Sequence, residues 1–204
     1  QRQAFKHGFS FSHLPHEQQA KIWDYIWQHS KNFEVMKQPL FYFESRIKQN
    51  DLSDWKILKT WVNKIENWEH ADNYCKIISD LHERYQAKIY PTLKLWNKSK
   101  HLWTRRASIV SLFLYSTCRL KQPQFKKVIA LIEPLISSDH HYLHKAVGWT
   151  LRECHNVYPK QTYQFLEKHI KDLAPATFSY ATEKFSPAQK TKLKAIRKTL
   201  RTRR

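Results

Sequence analysis

Glycine is almost absent from this chain of 204 residues: only Gly8 and Gly148 occur. No Gly-rich phosphate-cradling loop can be found, and H-E-x-x-H and G-x-S-x-G are missing too. The usual nucleotide hydrolase, zinc protease and serine esterase readings are thereby excluded. The three cysteines, Cys75, Cys118 and Cys154, are odd in number and widely spaced. Reduced, partly buried thiols fit that pattern better than a disulfide framework or a zinc site. No run of about 18 apolar residues is present. Nothing near the start resembles a signal peptide, so we expect an intracellular, cytoplasmic protein with no membrane partner. The first residue is Gln1 rather than Met, which leaves the natural start open. Acidic residues are scarce: 17 Asp and Glu stand against 36 Lys and Arg, for a formal charge of +19. A field of that sign attracts a polyanion and makes binding steeply salt-dependent.

What is present argues for helices. Hydrophobic residues make up 41% and aromatics 14% of the chain, enough for one folded unit over residues 1–204. Apolar residues recur at three- and four-residue spacing, and strand-like alternation is nearly absent. Trp23, Ile26 and Trp27 form a stripe after Pro15. Trp55, Leu58, Trp61, Val62 and Ile65 form another after Ser53, read here as the N-cap. Further amphipathic segments run over 68–85, 91–97, 102–117, 125–136, 140–157, 163–172 and 187–200. Breaks fall at Pro91, Pro123, Pro159, Pro175 and Pro187. The helices group loosely in pairs of about 35 to 45 residues, which suggests an all-α solenoid of HEAT-like repeats with a concave basic face. A compact helical bundle is the alternative, since irregular repeats and ordinary antiparallel pairs look alike in one sequence.

Two segments place a tryptophan beside fixed cations on helices: Leu102 to Ser108, with Trp103, Arg105 and Arg106, and Lys145 to Glu153, with Trp149 and Arg152. In a chain this basic, the pairing points at DNA. A third segment, Asn67 to Asp72, sets Trp68 and Asp72 four apart, so an indole and a carboxylate share a helix face. Taken alone, that spacing reads as a core tryptophan beside an aspartate paired with a surface lysine.

Together, in this order, the three segments resemble the AlkD family of DNA alkylation repair glycosylases. Trp96, seven residues before Trp103, and Pro159, after the Gly148-Trp149 motif, extend the likeness to most of the chain from about Phe9 to Leu173. The resemblance implies a HEAT-like fold and a cleft in which Trp68, Trp149, Asp72 and Arg106 act on the substrate. The family usually has an aspartate directly after the first tryptophan; here Glu69 stands there, followed by His70. The family's N-terminal helices, which help to grip damaged DNA, are short or missing before Phe9.

The implied activity is that of a monofunctional glycosylase removing cationic N3- or N7-alkylpurines from double-stranded DNA by hydrolysis, within base excision repair. We expect it to act as a monomer with no metal or organic cofactor. Asp72 would oppose positive charge growing on the deoxyribose, Trp68 and Trp149 would offer their faces to the cationic nucleotide, and Arg106 would hold a phosphate. Arg105, Lys145 and Arg152 are candidate phosphate contacts on the flanking helices, each equally readable as a solvated helix charge, and Arg152 with Glu153 as an ion pair. The rival reading is a noncatalytic HEAT-like protein that binds damaged or branched DNA.

Other features carry less. His140, His141 and His144 form the one dense histidine group, without acidic or cysteine ligands at a recognisable metal spacing; we read them as surface histidines. His70, between Trp68 and Asp72, is turned away from their shared face by its helix position. The segment from Lys190 to Arg204 is basic enough for an electrostatic arm, or for a frayed, solvated helix.

Overall fold

Alternate helices pack on one another. The computed structural model describes residues 8–113 and 119–202, the last two as backbone only. No strand occurs among them. In chain order the α-helices are α1 His16–His29, α2 Phe33–Ser45, α3 Leu52–Trp61, α4 Trp68–Arg84, α5 Gln86–Asn97, α6 Leu102–Val110, α7 Phe125–Ile132, α8 His141–Val157, α9 Pro159–His169, α10 Pro175–Ala181 and α11 Pro187–Thr202. Short 3-10 turns, Val62–Lys64 and Glu133–Leu135, extend α3 and α7. The even helices form a ladder, α2 on α4, α4 on α6, α6 on α8 and α8 on α10, while α1, α3, α5 and α7 back the even helices that follow them.

Polar side chains cross this ladder at a regular interval. Lys76 donates to Glu44, Arg106 to Asp72 and to the Tyr142 carbonyl, Thr177 to the His144 carbonyl, and Arg152 to Glu183. Those partners lie 31 to 36 residues apart in sequence. A helix pair of that length repeated along one axis is a solenoid, so the repeat reading holds and the compact-bundle alternative falls.

The tryptophan stripes are core, as helical periodicity required. Trp27 stacks on Trp61 at 4.9 Å between ring centres, and Trp61 Nε1 donates to Asp24 at 2.7 Å. Several boundaries differ from the sequence reading, each for a local reason. Asp51, not Ser53, caps α3: its carboxylate accepts from Ser53 N and Asp54 N while Asp54 reaches back to Asp51 N, closing a capping box. The Ser53 hydroxyl also donates to Asp51, which holds the Asp51 carboxyl below its ordinary pKa. We expect Asp51→Ala to lower stability to urea by about 1 kcal/mol.

The breaks expected at Pro123, Pro159, Pro175 and Pro187 hold, and the one at Pro91 does not. Pro39 and Pro91 lie inside α2 and α5 rather than ending them, whereas Pro159, Pro175 and Pro187 each start a helix, where a missing N–H is harmless. Helices α2 and α10 were not anticipated. The segment expected over 102–117 is helical to Val110, and its far end lies outside the described residues. Cys75 and Cys154 are buried and free; Cys118 lies outside the described residues.

The basic C-terminal segment is neither a loose arm nor a frayed helix. Leu193 is fully buried, Ile196 and Leu200 pack on the core, and buried Arg197 donates to the Leu173 carbonyl at 2.6 Å. Helix α11 therefore closes the end of the solenoid, showing Lys192, Lys194 and Lys198 to solvent. Arg203 and Arg204 lie outside the described residues. No described helix is long and apolar enough to cross a membrane.

Candidate active site

Six of the eight tryptophans, Trp23, Trp27, Trp55, Trp61, Trp96 and Trp103, are buried. Trp149 is half-buried, and Trp68 is 54% exposed. An indole that open forgoes a large apolar burial, so its position calls for a partner other than the core. The two tryptophans left out of the core are the two that line one cleft. Its volume is about 270 Å³, and its other walls are Asp72, Arg106, Tyr142, Lys145 and Tyr180.

Helix starts set these side chains. Asn67 accepts from His70 N at 2.9 Å and fixes the first turn of α4, which places Trp68 at the mouth and Asp72 one turn deeper. Arg106 on α6 is only 8% exposed. Its Nη2 and Nε donate to Asp72 Oδ1 at 2.7 and 3.2 Å, and its Nη1 donates to the Tyr142 carbonyl on α8 at 2.9 Å. Both bonds to Asp72 fall on one oxygen. The other, Oδ2, accepts no bond among the described residues, and the side chain is 45% exposed. A carboxylate is thus held rigidly from behind with one oxygen open to the cleft.

Beside this pair a recess of about 60 Å³ is lined by Asp72, Cys75, Lys76, Ser79, Arg106 and Trp149, among others. That volume holds a few waters and no purine. Burial lifts the Cys75 thiol to about 12, so it stays protonated and is no nucleophile at neutral pH. Lys76 pairs with Glu44 at 2.5 Å rather than with Asp72.

The remaining candidates separate. Lys145 lines the cleft with its ammonium over the Tyr180 ring, 6.0 Å from the centre. Arg105 does not: neighbours on a helix point about 100° apart, so with Arg106 turned into the cleft, Arg105 faces a groove between α5 and α7. Trp103 is equally a correction to the tryptophan-and-cation reading, since it is buried against Tyr142. Arg152 is held by Glu153 at 3.2 Å and Glu183 at 2.7 Å and lies 5.9 Å from the Trp149 ring centre. It braces Trp149, and the ion-pair alternative describes it better than a free phosphate contact. Arg106, buried and engaged through three nitrogens, likewise positions Asp72 rather than standing open to a phosphate.

Glu69 turns to Lys37 on α2 at 2.6 Å. His70 is buried against Phe33 and Trp27, as its helix position implied, and burial lowers its pKa. His140 caps α8 through Tyr142 N at 3.3 Å, and His144 bonds the Ser138 carbonyl. Among the described residues no group of three His, Cys, Asp or Glu could hold a metal.

Tyr142 and Tyr180 were missed by the sequence reading. Tyr180 sits on α10, a helix without a visible stripe. The available signal was Gly148: a Cβ there would lie 2.7 Å from Tyr180 Cβ and 2.8 Å from the Thr177 carbonyl. That glycine lets α10 close on α8 and brings Tyr180 beside Trp149.

The comparisons with known proteins agree with this architecture. The structure is similar to a predicted DNA alkylation repair enzyme from Enterococcus faecalis (TM-score 0.71, 14% identity, covering 85% of this chain and 78% of the other). It is also similar to AlkD2 from Streptococcus mutans (TM-score 0.61, 23% identity, 85% and 84% covered) and to smu.31 from Streptococcus mutans UA159 (TM-score 0.57, 20% identity, 90% and 84%). At these identities the likeness is one of fold. No curated protein matches the chain. The sequence model described as DNA alkylation repair enzyme matches residues 1–185, and the chain belongs to that family.

Proposed function

We propose that this protein is a DNA glycosylase that hydrolyses the N-glycosidic bond of cationic N3- or N7-alkylpurines in duplex DNA and leaves an abasic site. The observation that carries the reading is the open oxygen of Asp72, fixed by buried Arg106 between the two tryptophans that the core leaves out.

A purine alkylated at N3 or N7 is already positively charged. When its C1′–N9 bond breaks, the electron pair goes to the base, which leaves neutral, so no strong general acid is needed. Positive charge moves to C1′ and O4′ of the sugar. A fixed carboxylate at that point stabilises the transition state more than the ground state, because it faces charge that grows during the reaction. Water then adds to C1′ and gives up a proton, for which Asp72 is the nearest base in the cleft. Trp68 and Trp149 set electron-rich faces against the cationic nucleotide, and Lys145 neutralises a neighbouring phosphate.

The cleft is open, and the recess beside Asp72 is too small for a purine. Both features favour action on the sugar over enclosure of an extruded base, the route of most glycosylases. Bulky adducts are then expected to be tolerated.

The test is release of 7-methylguanine and 3-methyladenine from methylated duplex DNA, followed by detection of abasic sites. Base release with abasic-site formation supports the reading. Salt-sensitive DNA binding without release would support the noncatalytic binder instead. Within the same assay, Tyr180→Ala is expected to raise KM about tenfold with a smaller change in kcat, since it removes a cleft wall and not the charge; Tyr180→Phe keeps the wall and stays near the parent values.

A further inference from the structure

The layer of odd helices carries a second concave feature, away from the cleft. Helices α5 and α7 are tied at two points: Tyr90 Oη donates to the Lys127 carbonyl and buried Asn97 Nδ2 to the Leu131 carbonyl, each at 2.9 Å. Between them the helices part and leave a groove of about 580 Å³, within the usual size range of ligand sites. Its floor is apolar, with Ala130, Leu131, Pro134 and Leu135, and Leu95 stands 70% exposed at its edge. Its rim is basic: Lys94, Lys98 and Arg105 line it, and no carboxylate does. Glu133, beside Pro134 in sequence, turns instead to His169 at 3.6 Å.

Arg105 is the telling residue. Arg84, Arg106, Arg119 and Arg152 each hold a carboxylate, Arg197 holds a backbone carbonyl and Arg46 lies over the Tyr42 ring, whereas half-buried Arg105 makes no ion pair among the described residues and faces the groove. A guanidinium partly withdrawn from water, beside uncovered leucine, fits a partner that brings both an anion and an apolar group.

We propose that this groove docks an acidic peptide segment of another protein, its carboxylates on Lys94, Lys98 and Arg105 and one or two apolar side chains on the floor. Duplex DNA supplies phosphates but no side chain to cover Leu95. A second copy of this chain supplies no such segment, because no two acidic residues are adjacent anywhere in the sequence. Since the cleft opens on the even-helix layer, the partner and the DNA can be held together. The inference does not depend on glycosylase activity.

The probe is a fluorescein-labelled synthetic peptide of four aspartates followed by leucine and phenylalanine with a free carboxylate, read by anisotropy. We expect a Kd on the order of 1–100 μM, weakened about tenfold or more by Arg105→Glu. Ala130→Trp, which fills the groove without changing charge, is expected to weaken it as much, and cleft variant Lys145→Glu to leave it unaltered. Circular dichroism and base release by Ala130→Trp should match the parent. Equal weakening by Lys145→Glu, or equal affinity for a peptide with glycines in place of leucine and phenylalanine, would reduce the binding to general attraction by a +19 protein and overturn the proposal. So would no binding at all.

Discussion

Asp72→Asn is expected to slow release of 7-methylguanine by about 10²–10³-fold under single-turnover conditions, with affinity for duplex DNA retained. The substitution is nearly isosteric. An amide oxygen can still accept from Arg106, as Oδ1 now does at 2.7 and 3.2 Å, so the cleft keeps its shape. What disappears is the negative charge on the side facing the substrate. Binding of ground-state DNA rests mainly on phosphates and on the chain's positive field, and neither changes. A variant that loses rate and affinity in equal measure would mean that Asp72 shapes the site rather than opposing charge in the transition state. A variant with the parent rate would remove Asp72 from the mechanism altogether. The buried guanidinium lends this experiment its discrimination, because Arg106 is anchored independently on the Tyr142 carbonyl and does not need Asp72 to stay in place.

The fold was legible where one helix face is apolar and its punctuation ordinary. Helices α4 and α8, which carry Trp68, Asp72, Lys145 and Trp149, match their expected spans closely, since a stripe at three- and four-residue spacing both marks the helix and aims its polar face. Helix α2 was hidden because it is apolar over most of its length, with Met36, Leu40, Phe41, Tyr42 and Phe43 all buried and Pro39 in its midst. A helix covered on several sides shows no stripe, and a proline there reads as a break. Helix α10 was hidden by its brevity.

The site was half legible. Spacing put Trp68 and Asp72 on one face, but it could not show that Trp68 would be exposed while Trp103, in an equally basic segment, would be core. That difference arises from tertiary packing: Trp103 meets Tyr142 at 4.8 Å across α6 and α8, whereas Trp68 begins α4 at the rim. Nor could spacing tell Arg105 from Arg106. Only the direction of α6 within the ladder decides which of two adjacent arginines enters the cleft, and the same direction places the other on the groove behind it.

Gly148→Ala is expected to lower the melting temperature by about 3–6 °C and to reduce base release about tenfold, against the ordinary expectation for a helix interior. Alanine in place of a helical glycine normally stabilises by about 0.5–1 kcal/mol. Here its methyl carbon would stand 2.7 Å from Tyr180 Cβ and 2.8 Å from the Thr177 carbonyl oxygen. One of those neighbours is backbone and the other is bonded directly to it, so no flexible side chain can swing aside and α10 must retreat from α8. Overpacking of this kind costs about 1–3 kcal/mol, which outweighs the gain in helix propensity. A net loss of about 1–2 kcal/mol gives the stated shift in a chain of this size. The retreat also stretches the Thr177 bond to the His144 carbonyl, now 3.1 Å, and carries Tyr180 away from Lys145 and Trp149. Thermal unfolding and base release measured on one preparation decide between the two effects. A melting temperature raised by a few degrees would mean that helix propensity prevails and that α10 is not held against α8 by this contact. A lowered melting temperature with undiminished release would mean that Tyr180 is scaffold, leaving Trp68, Asp72 and Trp149 to carry the chemistry.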